Sequence, residues 1–409
     1  MHGSPNIPTG IRWRGADRKM TRKIVALLLI AVLLLSLPAC KEEPKNTHSD
    51  WLYIPSSAAT GALTENGYYY ARNSILNYAD LATETSVVLC QKPGCKHELG
   101  LEGAAKCDAE VRIPWMVFGN DTLYYVDLGT LYSRNATGGD LKELGTPAKE
   151  LVEEGISVEV YPKAVYNGYL YYSGTIKEIK QTASGGTSST SAGSCFGRFN
   201  LALRKDELLV VRYGDGIKVI AVRENGLLYK DQEGLDPEIN WKDMKAKEYT
   251  EALYKTTVQI GHLDLTTGET TVLLTTTYSE CKAVLDLENG KIIYNKPSNG
   301  DEGEIRSYDL NTGKVETVYK GEFSLSHYGQ GYWLGTKWLD AQTAERHIYD
   351  MNTGKTLPYE LKGNFGVVNK SEYGLVVLNS ITGVFSFLSY DSLADGLQES
   401  DLKFLYSNS

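Results

Sequence analysis

The sequence predicts an all-β chain folded as a β-propeller. Three observations carry that expectation: a recurring turn-plus-strand unit, a second recurring turn, and the spacing between copies. The first unit is an Asn-Gly or Asn-Asp turn leading into an aromatic and aliphatic run. It occurs at Asn66-Gly67-Tyr68-Tyr69-Tyr70, Asn120-Asp121-Thr122-Leu123-Tyr124-Tyr125, Asn167-Gly168-Tyr169-Leu170-Tyr171-Tyr172, Asn225-Gly226-Leu227-Leu228-Tyr229 and Asn289-Gly290-Lys291-Ile292-Ile293-Tyr294. Gly331-Tyr332-Trp333-Leu334 and Tyr373-Gly374-Leu375-Val376-Val377 continue it more weakly. Asn and Gly tolerate the positive φ of a tight hairpin, and the run that follows is strand-forming.

The second signal is clean at Leu263-Asp264-Leu265-Thr266-Thr267-Gly268, Tyr308-Asp309-Leu310-Asn311-Thr312-Gly313 and Tyr349-Asp350-Met351-Asn352-Thr353-Gly354. Its acidic side chain caps a turn and its glycine takes the left-handed position of a bulged loop, as expected where the outer strands of a blade end. Asp80-Leu81-Ala82-Thr83 and Tyr390-Asp391-Ser392-Leu393 read as eroded copies. The clean copies lie 45 and 41 residues apart, the length of one four-stranded blade. Seven units predict seven blades. Irregular spacing between Gly168 and Gly290 leaves six or eight open.

Residues 1–39 read as a signal peptide. Arg12, Arg14, Arg18, Lys19, Arg22 and Lys23 precede the apolar run Ile24 to Leu35, which is shorter than the ~20 residues of a stable span. Met20 offers an alternative start that gives a more usual leader length. Leu37-Pro38-Ala39-Cys40 resembles the bacterial lipobox, which implies lipidation of Cys40; a cleaved leader with an incidental cysteine is the competing reading. Residues 40–50 read as a polar tether and 51–409 as the propeller. The leader holds six basic side chains and one acidic one, so a net charge of −9 becomes about −14 in the mature chain. That charge opposes binding to nucleic acid.

Within the propeller, Gln181 to Ser194 reads as a flexible loop and Asp236 to Leu253 as a short helix on one rim. Cys90-Gln91-Lys92-Pro93-Gly94-Cys95-Lys96-His97, with Cys107 beyond, is the dense cluster of metal-capable donors. Cys95 and His97 would share one face of an extended strand, with the Pro93-Gly94 turn returning Cys90 toward them. Structural zinc on Cys90, Cys95, His97 and Cys107 is one reading, a disulfide of Cys90 with Cys95 or Cys107, permitted by an oxidising compartment, is the second, and free thiols are the third. Cys195 and Cys281 read as buried free thiols, and His262, His327 and His347 as isolated structural histidines.

Together, the Asn-Gly-x-x-Tyr-Tyr strands and the Asp-Leu-Asn-Thr-Gly-Lys turns resemble those of bacterial β-propeller lipoproteins related to low-density-lipoprotein-receptor-like and TolB-like propellers. The resemblance covers most of 51–409 and implies a membrane-anchored protein at the outer face of the cell envelope, with protein partners as in TolB-like relatives. The chain carries no nucleophile elbow, phosphate loop, His-Glu-x-x-His or calcium loop. The expected role is a binding module for a protein or glycan, with no catalytic residues assigned. The alternatives are a glycan-active enzyme with carboxylates at the channel mouth and an envelope assembly factor. Of Trp115, Trp241, Trp333 and Trp338, the rim residue Trp241 is the expected ligand-facing aromatic, while Trp115 and Trp333 are expected to fill blade interfaces.

Overall fold

The computed structural model describes residues 51–55, 60–103, 106–112, 114–182, 185–214, 217–235, 244–297, 303–340 and 343–407. Cys40, the leader, the tether and Trp241 lie outside them. The described strands form seven antiparallel sheets, spanning 61–88, 115–145, 156–213, 218–277, 283–321, 324–357 and 365–407. Each takes its four strands consecutively from the chain, so these are blades 1 to 7 of a propeller. No helix of the described residues is long and apolar enough to cross a membrane.

The seven Asn-Gly-type units correspond one to one with the turns between the first and second strands of the blades. Asn167-Gly168, Asn289-Gly290 and Gln330-Gly331 adopt the paired positive φ expected of them. In blades 1 and 4 the reading needs correction, because Gly67 and Gly226 sit just after the turn without positive φ. There the glycine makes room: a Cβ on Gly226 would lie 2.7 Å from His262 Nε2 and 2.8 Å from Arg223 Nε.

The Asp-x-x-Thr-Gly signals close the third and fourth strands of blades 4, 5 and 6. In each, one carboxylate oxygen accepts two successive backbone N–H groups, from Thr266 and Thr267 to Asp264, and from Asn311 and Thr312 to Asp309. Asp80 does the same in blade 1, with Glu84 at φ 53° where the others have glycine. Two copies were hidden: Asn200 caps the equivalent turn of blade 3, with Arg204 at φ 52°, and Asn379 caps the turn between the second and third strands of blade 7. Asp391 is not an eroded copy, since Asp391–Leu393 is a single 3-10 turn in the link to the last strand.

The irregular stretch hides no blade. Gln181 to Ser194 is not a flexible loop: most of it belongs to strands Tyr169–Gln181 and Thr187–Asn200 of a long hairpin, in which Thr187, Ser188, Ser189, Thr190 and Ser191 pair with Gln181 to Lys177. Blade 4 carries an insertion between its second and third strands that includes helix Ala246–Tyr254, the described part of the expected rim helix.

Apolar residues fill the seams between blades, as in the cluster of Val376, Phe387 and Leu405 of blade 7 with Leu63 and Tyr68 of blade 1. Burial of this kind is the main stabilising term. An additional strand, Leu52–Tyr53, pairs antiparallel with the first strand of blade 4, Leu52 opposite Val222 and Tyr53 opposite Ala221. First strands are the innermost of each blade, so this segment lies in the central channel.

Candidate functional site

The cysteine cluster sits in the connection from the last strand of blade 1, Thr85–Val88, to the first strand of blade 2, Trp115–Gly119. Leu76 N donates to Ala109 O at 2.8 Å and Val111 N to Ser74 O at 2.9 Å, tying the connection to blade 1. Cys107, Ala109 and Val111 bury themselves against Leu76, Leu89 and Met116. From blade 2, the buried guanidinium of Arg134 donates to Leu89 O at 2.7 Å and Asp108 O at 2.6 Å, spanning both ends of the cluster.

The ligand atoms of Cys90, Cys95, His97 and Cys107 lie within 4.8 Å of one another. Cys107 Sγ is 3.5 Å from His97 Nδ1. The Pro93-Gly94 turn returns the chain as expected, with Cys95 N donating to Lys92 O at 3.2 Å and Gly94 at φ 72°. His97 departs from expectation: it lies at φ 58° outside any strand, and this left-handed step turns its ring toward the thiols. All three cysteines are free thiols.

Each sulfur meets the backbone N–H two residues on, from Lys92 to Cys90, from His97 to Cys95 at 3.4 Å, and from Ala109 to Cys107. Such donors stabilise thiolate over thiol. Burial opposes ionisation of Cys90, but the N–H groups of Lys92 and Asp108 and the neighbouring thiols outweigh it and hold Cys90 below its ordinary value. Burial pushes Cys107 up to about 11. Three sulfurs and one imidazole, each backed by a backbone donor or a neighbouring ligand, match the donor set of structural zinc.

A second cluster was missed in the sequence because its members are far apart. Asp286 and Glu288 lie on the first strand of blade 5, Ala283–Glu288, His327 on that of blade 6, Ser324–Gly329, and Lys370 on that of blade 7, Phe365–Ser371. His327 is therefore not isolated. Its Nε2 lies 2.9 Å from Asp286 Oδ2 and 3.6 Å from Glu288 Oε1, and its Nδ1 lies 2.7 Å from Lys370 Nζ. At 2.7 Å one nitrogen must donate and the other accept, so the His327–Lys370 pair is short of one proton. Burial lowers His327, but Asp286 and Glu288 overcome it and raise the ring above its ordinary value; burial lowers Lys370.

A cavity of about 370 Å³ adjoins this cluster between blades 6 and 7. One carboxylate oxygen of Asp286 and one of Glu288 lie within 4.8 Å of each other. Both are engaged, Glu288 also accepting from Gly331 N at 3.0 Å.

Elsewhere, Cys195 and Cys281 are buried free thiols as expected, pushed up to about 12 and about 11 by burial. His262 lies edge-on to Trp51, and His347 edge-on to Phe323. Trp333 is buried between blades 5 and 6, as expected, and Trp338 is exposed. Trp115 is only half-buried and faces a cavity.

No family model matches the chain, and no curated protein does. Solved structures similar to it include an oligogalacturonate lyase from Vibrio parahaemolyticus, at 11% identity and TM-score 0.47 over 85% of this chain and 92% of that one. A Mycobacterium tuberculosis puromycin-hydrolyzing peptidase matches at 9% identity and TM-score 0.48, over 88% of this chain and 56% of that one. TolB from Acinetobacter baumannii matches at 14% identity and TM-score 0.35, over 83% and 76%. The chain spans 50–61% of the length of the peptidases it matches. These likenesses concern fold and carry nothing about activity.

Proposed function

We propose that this chain is a lipid-anchored, extracytoplasmic binding propeller whose blade 1–blade 2 connection is stapled by zinc, and which offers one defined end of its ring to a protein or glycan ligand. The antiparallel pairing of Leu52–Tyr53 with blade 4 carries this reading. Trp51 lies beside Arg223 and His262, next to the turn that ends the first strand of blade 4. The chain therefore enters the channel from the end where the Asn-Gly and Asp-x-x-Thr-Gly turns cluster. A lipid on Cys40, at most about 40 Å of extended chain away, would hold that end toward the bilayer. The opposite end would face outward, and it carries the blade 3 hairpin, the blade 4 insertion and the cysteine connection.

The zinc reading rests on the four gathered donors and on the N–H group two residues beyond each thiol. Metal analysis and thiol titration test it: one zinc per chain, lost in each of Cys90→Ala, Cys95→Ala, His97→Ala and Cys107→Ala, is expected. A metal-free chain with two thiols missing would replace the staple by a disulfide. Cys40→Ser is expected to move the protein from the membrane to the soluble fraction. In cells displaying the native chain, Gly185→Cys on the blade 3 hairpin should react with an impermeant maleimide faster than Gly268→Cys at the turn end. The opposite order would overturn the orientation.

A further inference from the structure

The cavity between blades 6 and 7, about 370 Å³ in volume, falls within the roughly 300–1,000 Å³ of small-molecule sites. Tyr328 and Leu334 of blade 6 and Phe365 and Val367 of blade 7 give it apolar walls. Val368, on the same lining, is exposed, so the cavity meets solvent. His327 and the half-buried Lys370 belong to the lining as well.

The 2.7 Å contact between His327 Nδ1 and Lys370 Nζ has room for one shared proton, because an imidazolium and an ammonium offer each other only donors. Asp286 Oδ2 at 2.9 Å and Glu288 Oε1 at 3.6 Å lie against the other nitrogen of the ring and favour its charged form. The lysine nitrogen is then the neutral partner. A neutral amine is a nucleophile, whereas an ordinary surface lysine near pH 7 is an ammonium. The buried ring beside it is an acid held within reach of whatever the amine attacks. An amine, an acid and an apolar cavity together suit condensation with a carbonyl group.

We infer that Lys370 captures a neutral carbonyl compound, an apolar aldehyde, as a reversible imine in this cavity. The lone pair of Lys370 leaves the Nδ1 hydrogen and attacks the carbonyl carbon, and an amine proton moves to the carbonyl oxygen, giving a carbinolamine. The imidazolium then gives its Nδ1 proton to that hydroxyl, the C–O bond breaks and water departs. The products are a protonated imine on Lys370 and a neutral His327 ring, so the cluster keeps its charge and Nδ1 can accept from the imine N–H. No oxidant or reductant is consumed. Asp286 and Glu288 disfavour an anionic carbonyl compound. The site depends neither on zinc nor on which end of the ring faces outward.

Reductive labelling tests the assignment. The detergent-solubilised full chain is treated with benzaldehyde and cyanoborohydride, whose hydride reduces the imine to a stable benzylamine, and each lysine is scored by mass spectrometry after digestion. At pH 7, Lys370 is expected to be labelled at least about tenfold faster than the exposed Lys355 and Lys403 of the same sample. With those lysines as the internal reference, the pH dependence of the reagents cancels. The ratio should shrink as pH rises toward about 10.4, where exposed lysines also lose their protons, since burial has already lowered Lys370. Tyr53 and Tyr390, the other titratable groups near the carboxylates, stay protonated in this range, because burial and Asp286 push both up. His327→Gln, shown to be folded by circular dichroism, should slow labelling of Lys370 at least about tenfold. Glyoxylate, an anionic aldehyde, should show no preference for Lys370. Labelling of wild-type Lys370 no faster than that of Lys355, or a rate indifferent to His327→Gln, would overturn the assignment. A preference of Lys370 for glyoxylate over benzaldehyde would overturn it too.

Discussion

At the scale of single residues, His327 shows how opposed buried charges offset one another. The ring is almost wholly buried, yet it faces two carboxylates on one side and the lysine nitrogen on the other, which accepts when the ring is protonated. Because Asp286 and Glu288 raise His327 above 6.5 against the effect of burial, its protonated form contributes stability in full below about pH 6.5. That contribution is lost as pH rises through the raised value. Burial lifts Asp286, but the hydrogen bond and charge of His327 outweigh it, so the carboxyl lies below 3.8 and its contribution is lost only in acid. His327→Gln should therefore cost more stability at about pH 5.5 than at about pH 9, measured by denaturant unfolding. A cost that does not vary with pH would show that the ring serves only to fill space. None of this was legible in sequence: the cluster unites positions 286, 288, 327 and 370, whose proximity exists only once three blades stand side by side. The cysteine donors were legible because three of the four fall within eight residues and the turn that folds them, Pro93-Gly94, is itself a local signal.

At the scale of elements, the third-to-fourth-strand turns of blades 1, 3, 4, 5 and 6 follow one design with graded strain. An Asp or Asn accepts two backbone N–H groups, and the residue four positions on from it takes a left-handed conformation. Gly268, Gly313 and Gly354 adopt it freely, while Glu84 and Arg204 adopt it with a Cβ, at a cost of about 1 kcal/mol. Glu84→Gly and Arg204→Gly should each stabilise the protein by up to about 1 kcal/mol, less the entropy glycine adds to the unfolded chain. Gly313→Glu should destabilise it, and thermal melts of the three variants read the signs directly. The same grading explains what sequence reading recovered. Copies that pair Asp with Thr-Gly were found, those with Glu84 or Arg204 were eroded or unseen, and the copy at Asn379, which keeps Thr382-Gly383 but opens on Asn, sits at another turn of its blade and was missed. The blade 3 hairpin was taken for a loop because Ser, Thr and Gly are the vocabulary of linkers. Threonine is also a strand former, and register with Tyr169–Gln181 decided the matter.

For the whole molecule, the question is how the ring closes. Blades 1 and 7 are each built from their own end of the described chain, with no strand exchanged between them. Closure relies on side chains instead. Tyr70 stacks on Tyr406 at 3.8 Å, Ser86 Oγ donates to Leu405 O at 3.2 Å, and Asn369 Nδ2 to Gly61 O at 2.6 Å. The channel strand adds ties across the centre, since Tyr53 pairs with blade 4, donates its hydroxyl to Leu285 O of blade 5 at 2.8 Å, and lies under Lys370 of blade 7. Tyr53→Ala should therefore cost about 2–4 kcal/mol of unfolding free energy, whereas Tyr249→Ala, exposed on the helix, should cost little. Equal effects would mean that the channel strand is dispensable.

The channel strand also has a mechanical side. Tension applied to the chain ahead of Trp51 runs along the strand axis and loads its backbone bonds to blade 4, together with the Tyr53 hydroxyl bond, in shear, so they resist together instead of peeling one at a time. If Cys40 carries the proposed lipid, the leash and the keystone of the ring belong to one continuous segment. A protease cutting ahead of Trp51 would shed the ring with its keystone in place, whereas a force strong enough to extract Leu52–Tyr53 would loosen the ring from its centre outward.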